Sequence, residues 1–350
     1  VMGKKLFDYV IGNPPYNEDF ENSGDNGNFA KPVYNYFMDA TYEVAEKVEM
    51  IHPARFLFNA GSTPKAWNKK MLGDEHFKIM EYEADSSRIF PNTDIKGGIV
   101  ISYHDETKKY GAIEIFTKYK ELNTILHKVI QDIAFISFSN IVITRTAYRL
   151  TDKMHEEHPE ALSQLSSGHA YDMSTNIFER LAQIFYDEKP NDGAEYIKIL
   201  GREKNERVYK YIKREYVNDV INLDKYKILI PKANGIGAFG EVISAPVIQG
   251  KGIGHTETFL SIGIFDNIQE AQNAYKYIKS KFARALLGVL KTTQDITPDK
   301  WANVPMQDFT DKSDIDWSVS IANIDKQLYK KYGFSEEEIT FIENNVKEME

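Results

Sequence analysis

The first apolar run, Leu6-Phe7-Asp8-Tyr9-Val10-Ile11, has the length and texture of a buried strand. It ends at Gly12-Asn13-Pro14-Pro15-Tyr16, where two successive prolines remove the N–H donors that a ladder needs. This places a loop at the strand's C-terminal edge, the edge at which open α/β sheets bind ligands. The polar stretch from Asn17 to Asn28 cannot pack and is expected to form a mobile loop. Pro32 can open a helix whose apolar face holds Tyr34, Tyr36, Phe37 and Tyr42. Strands are predicted at Val48–His52, Phe77–Tyr82 and Ile95–Tyr103, with a helix over Trp67–Leu72. Alternation of this kind predicts an α/β layered fold.

From about Glu106 the texture changes. A helix is predicted over Tyr119–Ile133, followed by short strands at Ile141–Ile143, Ile197–Leu200 and Tyr226–Ile230. Glycine-rich turns lie at Gly235-Ile236-Gly237 and Gly250–Gly254, and Ala271–Leu290 is expected to be one helix. The tail, Ile324–Met349, reads as two charged helices. Gly333 ends the first, and Ser335 caps the second with Glu338 completing a capping box.

At 350 residues the chain is long enough for two domains. It has no cysteine, which excludes disulfides, thiolate zinc sites and cysteine nucleophiles and suits a reducing compartment. No apolar run approaches the ~20 residues that span a bilayer, and Val1-Met2-Gly3-Lys4-Lys5 does not begin a signal peptide. The expectation is a cytoplasmic protein with no membrane partner. A net charge of -9 means that any nucleic-acid reading must rest on a local cluster of cations. The 21 Tyr and 20 Phe residues fill cores first, and offer stacking surfaces for bases second.

Asn-Pro-Pro-Tyr after an apolar strand carries the chemistry. An exocyclic amine is a poor nucleophile because its lone pair is delocalised into the ring. A site that accepts both amino hydrogens makes that nitrogen more tetrahedral. The Asn13 side-chain oxygen and the Pro14 carbonyl are suitable acceptors, and Pro14 adds no competing donor. Pro15 stiffens the turn, and Tyr16 can stack on a base rotated out of a duplex. The bland alternative is a Pro-Pro turn that merely caps a strand.

The segment Phe7-Asp8-Tyr9-Val10-Ile11-Gly12-Asn13-Pro14-Pro15-Tyr16 resembles motif IV of the adenine-specific DNA methyltransferases of restriction-modification systems, the type IIG group in particular. Val33–Phe37 resembles the helix after that motif, Met50–Leu57 the strand and turn of motif VI, and Phe90–Gly98 the motif VIII region. The resemblance implies methyl transfer from S-adenosyl-L-methionine to the amino group of a flipped adenine in double-stranded DNA. It makes Phe90 the aromatic that faces Tyr16 across the base, although Phe90 serves equally as a core residue at a strand entry. It also implies the C-terminal half of a Rossmann-like sheet (residues 1–118, motifs IV to VIII) joined to an α+β target-recognition domain (residues 119–350). The family's glycine-rich cofactor loop precedes motif IV. No such loop stands before Asn13, so the cofactor-binding residues are unknown, and the chain is expected to be a C-terminal fragment that needs a methyltransferase or nuclease region from elsewhere.

Candidate DNA contacts are Arg145 and Arg149, four apart, and the run Arg202, Lys204, Arg207, Lys210, Lys213, Arg214, with Lys232. Such a run is also what a solvated face looks like. Lys251 and His255 are further candidates, and Gly235–Gly240 is a recognition-domain turn or, alternatively, a phosphate-cradling nest. Asp192 and Glu195…Lys198 have the wrong spacing for a metal-dependent nuclease, and no His/Asp cluster suggests a metal site. Two other readings stay open: a non-catalytic DNA-recognition module, and a protein-glutamine methyltransferase.

Overall fold

The computed structural model describes residues 5–18, 31–58, 62–91, 93, 95, 97–291 and 293–349. The loop expected over Asn17–Asn28 therefore lies outside the described residues beyond Glu18. The chain forms two compact units, Val1–His127 and Lys128–Glu350.

The first unit contains β1 (Phe7–Gly12), α1 (Tyr34–Val44), β2 (Ala45–Pro53), α2 (Lys65–Leu72), β3 (Phe77–Glu83) and β4 (Ile99–Asp105). Its sheet has the order β1-β2-β4-β3; β1 and β2 are parallel, and the other pairs are antiparallel. Alternation along β2 sends Val48, Met50 and His52 to the buried face. There they join Tyr34 and Met38 of α1, Trp67 and Met71 of α2, and Phe56 and Phe77 in one core. Burying each such apolar side chain fully stabilises the fold by about 1.5–3 kcal/mol.

β1 does not behave as its composition predicts. It is an edge strand, and Leu6, Phe7 and Ile11 are 75%, 55% and 75% exposed. Val10, on the face opposite Phe7 and Ile11, packs against the core. An apolar run reports that both faces avoid water, but burial also needs a neighbour, and among the described residues β1 has one on one side alone. The predicted strand over Ile95–Tyr103 starts later, because Gly97 and Gly98 take left-handed φ values of 90° and 81° and turn the chain into β4.

The second unit opens with the end of α3 (Lys120–Ile130), which spans the division. Next come β5 (Val142–Ile143) and the short helices α4 (Asp152–Glu157), α5 (Ala161–Gln164) and α6 (Ile177–Arg180). The strands β6 (Tyr196–Glu203), β7 (Glu206–Lys213), β8 (Tyr226–Pro231), β9 (Val247–Gln249), β10 (Ile253–His255) and β11 (Phe259–Phe265) make two sheets, β10-β6-β7 and β5-β11-β8-β9. Four helices complete it: α7 (Ile268–Lys279), α8 (Lys281–Leu290), α9 (Ile321–Lys331) and α10 (Glu336–Asn345). The capping box of Ser335 and Glu338 is present at the start of α10.

The single helix expected over Ala271–Leu290 is two helices broken at Ser280. Ser280 Oγ accepts the Ala283 N–H, and Asp325 of α9 accepts the Lys281 and Phe282 N–H groups at 3.1 and 2.8 Å. These bonds satisfy the orphan donors of a new helix start. Burial pushes the Asp325 carboxyl up to about 6, with the Glu343 charge adding to the rise while the two N–H bonds and Arg284 oppose it. A carboxyl raised in the folded state gives stability that is present below its unfolded value of about 3.9 and lost as pH rises through the folded one. Relative to Asp325→Asn, the wild-type chain is therefore expected to lose up to about 3 kcal/mol between pH 4 and 6. Denaturant unfolding of both proteins across that interval measures the difference.

Candidate active site and nucleic-acid interface

In the first unit the strand ends converge. β1 and β2 run in parallel until Gly12 faces Met50, so Asn13 follows at the C-terminal end of β2. Pro53 pairs with Ile99 and Glu83 pairs with the same residue, so the turn before β4 and the exit from β3 share that edge. The loop after β3, which carries Phe90, returns there through Gly97 and Gly98. A Cβ at Gly97 would meet Arg55 Cγ at 2.8 Å, and one at Gly98 would meet the Glu83 carbonyl at 2.5 Å. Glycine is what lets this loop close against the sheet.

The Asn13–Tyr16 segment is anchored at both ends. Gly12 holds its place in the ladder, and the Tyr16 carbonyl accepts the Val33 N–H at 3.0 Å. Pro14 is buried, while Asn13 and Pro15 are exposed. The Asn13 amide has no hydrogen-bond partner among the described residues and stands free to accept or donate. Tyr16 is half-buried with its ring against the core. Its hydroxyl is buried without a partner, and burial raises that phenol to about 12. Packing of the ring, not a bond at its tip, holds Tyr16 among the described residues. In the core of the same unit His52 stacks on Tyr34 with ring centres 5.6 Å apart, and His52 Nε2 lies 2.7 Å from Ser102 Oγ. Burial lowers the His52 imidazole to about 4, so it is a neutral core residue. Phe90 is half-buried, its carbonyl accepting from the Thr93 N–H and hydroxyl. No ring contact joins Phe90 and Tyr16 among the described residues.

In the second unit most of the predicted cations are already paired. Arg145 binds Glu257 at 2.7 Å and Arg149 binds Asp172 at 3.2 Å. Lys210 meets Asp187 and Glu203 at 3.0 and 3.2 Å, Lys213 meets Glu157 at 3.1 Å, Arg214 binds Asp219, and Lys232 meets Asp295 at 3.2 Å. Lys251 is exposed. His255 is fully buried between the Thr256 carbonyl and Ser261, and burial lowers it to about 4, so it is a core residue and not a surface contact.

The tip of the β6–β7 hairpin is different. Lys204 and Asn205 both have left-handed φ, 49° and 67°, as a tight two-residue hairpin turn requires. Arg202 lies opposite Arg207 in the ladder, and neither Arg202 nor Lys204 has an ion pair among the described residues. Arg207 donates to the Ala245 carbonyl at 2.7 Å and lies over the Phe259 ring. Burial and the Arg202 charge lower its affinity for a proton.

Sequence reasoning missed the buried cations. Lys227, fully buried, donates to the carbonyls of Asn222, Leu223, Lys225 and Gly250, and burial lowers it to about 8. Lys291 pairs with Glu241, whose carboxylate accepts the N–H groups of Ile236 and Gly237. The glycine-rich turn read as a phosphate nest is therefore filled from within, which corrects that alternative. A basic residue next to a turn gave no signal that it would fold under it.

Among known proteins, residues 1–90 match the Eco57I restriction-modification methylase family. An uncharacterized adenine-specific methylase of Mycoplasma pneumoniae is 34% identical over 99 residues, which cover 28% of this chain and 23% of that protein. The chain thus spans about a quarter of the curated relative it matches. Two solved structures align over most of the chain. The type IIG restriction endonuclease BpuSI has 9% identity and a TM-score of 0.33 over 91% of this chain and 48% of its own. The type IIL restriction-modification enzyme MmeI in complex with DNA has 9% identity and a TM-score of 0.33 over 96% and 56%. Neither carries any argument at that level. In its first 90 residues the chain is similar in sequence to restriction-modification methylases, and over 99 residues to an adenine-specific methylase.

Proposed function

We propose that the chain supplies the adenine-binding and DNA-recognition parts of a restriction-modification DNA methyltransferase. The observation that carries this reading is the state of Asn13. The residue is exposed, and its amide has no hydrogen-bond partner among the described residues, immediately beyond the last ladder pair of two parallel strands, in a turn held at both ends. Asn13 Oδ1 and the Pro14 carbonyl accept the two hydrogens of the adenine amino group, which draws the nitrogen toward a tetrahedral geometry and frees its lone pair. Tyr16, with Phe90 on the other side, sandwiches the flipped base. Residues beyond 118 select the DNA site.

S-adenosyl-L-methionine supplies the methyl group when bound, and the described residues do not by themselves fit it. Among the described residues, the glycines of the first unit with left-handed backbone are Gly97, Gly98 and Gly111, and none of these three lies between a parallel strand and a helix. The turn at Gly235 is occupied by Glu241. The outer edge of β1 supports a two-part reading. Among the described residues it offers ladder groups with no neighbouring strand, which suits a further strand from a region that carries the cofactor loop. In that arrangement the sheet of the first unit is one half of a Rossmann-like methyltransferase sheet.

Calorimetry of the chain alone with S-adenosyl-L-methionine is expected to show no saturable binding; saturable heat would refute the two-part reading. Combined with a methyltransferase region that carries the cofactor loop, the protein is expected to methylate adenine in duplex DNA. In that protein Asn13→Ala should lower the methylation rate roughly 10²–10³-fold. Because Asn13 holds nothing in the fold, stability should change by no more than about 0.5 kcal/mol. Methyl transfer that survives the substitution would exclude the assigned role.

A further inference from the structure

The loop after β8 keeps one apolar side chain in water by unusually elaborate means. Ile236 is 84% exposed and stands between Gly235 and Gly237, whose φ values are 60° and 87°. Under this tip the Glu241 carboxylate accepts the Ile236 N–H at 3.0 Å and the Gly237 N–H at 3.2 Å. Glu241 is paired with Lys291, which is 3% exposed and also donates to the carbonyls of Asn234 and Thr293 at 2.8 and 3.1 Å. A Cβ at Gly235 would run into the Glu241 carboxylate, so the tip has no room to collapse. Single exposed apolar residues are ordinary. A buried ion pair and two left-handed glycines that together prevent one from being covered are not.

The other end of the same loop meets the cationic hairpin. The Asn234 side chain donates to the Val242 carbonyl and accepts the Ser244 N–H, and the next carbonyl, of Ala245, takes the Arg207 guanidinium at 2.7 Å. Arg202 and Lys204 extend from that hairpin without ion pairs among the described residues. Of the acids nearby, Glu203 turns to Lys210 at 3.2 Å, and Glu206 stays at the tip. An apolar point, linked through the Asn234 and Ala245 bonds to cations that have no ion pair among the described residues, matches a polyanion with slots between stacked rings, which is duplex DNA.

We propose that the Asn234–Ala245 loop and the β6–β7 hairpin form one duplex-probing element, in which Ile236 wedges between base pairs while Arg202, Lys204 and Arg207 hold the flanking phosphates. This rests on the DNA-recognition part of the proposed function. The wedge unstacks a step and so eases extrusion of a base, and the rigid loop delivers it without ordering cost at binding.

The test starts by enriching duplexes from a random pool on the full chain, then placing 2-aminopurine at successive adenine positions of an enriched duplex. The wild-type chain is expected to raise 2-aminopurine fluorescence at one step. Ile236→Ser should abolish that rise and weaken binding roughly tenfold, with the melting temperature unchanged, while Ile236→Met keeps both. The pair Arg202→Ala and Lys204→Ala should reduce the slope of log affinity against log salt by about 2. An Ile236→Ser protein that still raises the fluorescence overturns the wedge and leaves DNA recognition standing. An unchanged salt slope overturns the phosphate grip. A pool that shows no enrichment removes the DNA reading itself, and the wedge with it.

Discussion

A ladder that stops at a fixed place organises the first unit. β1 and β2 stay paired through Gly12 and Met50, and then Pro14 and Pro15 have no N–H with which to continue. The chain must leave the sheet there, so the ladder cannot continue past this turn. The bond from Val33 to the Tyr16 carbonyl then fixes the far end of the turn. Four residues between two anchors have little freedom, so Asn13 is oriented by the strand before it and the helix after it, not by bonds of its own.

What could be read from the sequence was local. The Pro-Pro exit follows from the missing N–H groups, and the cap of α10 follows from Ser335 and Glu338 three residues apart. What could not be read depended on partners distant in the chain. The break at Ser280 has no glycine or proline to announce it; it is stabilised by Asp325 from another helix. The exposure of β1 depends on which strands lie beside it, a matter its own apolar residues do not encode. The candidate site was legible as a motif, but the packing of the Tyr16 ring against the core and the buried stack of His52 on Tyr34 depend on α1 lying against β2.

The cations of the second unit show the same rule in electrostatic form. Counting Lys and Arg between Gly201 and Lys232 suggests a positive face, but the count ignores acids that arrive from elsewhere. Glu157, Asp187 and Asp295 come from other segments and pair with Lys213, Lys210 and Lys232. Pairs of this kind on a surface contribute little to stability, on the order of 0–1 kcal/mol each. They do remove charge from the field a polyanion would feel. Arg202 and Lys204 escape because the hairpin turn carries them beyond the reach of these acids.

Two buried lysines sharpen the distinction between holding a fold together and holding a shape out of it. Lys227 gathers four backbone carbonyls from two turns, and everything it organises is interior. Lys291 does the reverse, because its partner Glu241 spends both oxygens on the backbone of an exposed loop. Taking an ion pair out of water is costly, and apolar residues of similar size often stabilise as well or better. Such a pair is therefore poorly explained by stability alone. It does fix one conformation against many, since the carboxylate must meet two particular N–H groups while the ammonium meets two particular carbonyls. A loop defined to that degree around an uncovered isoleucine has the geometry of a probe, and the apolar tip is the part its buried charges keep from folding inward.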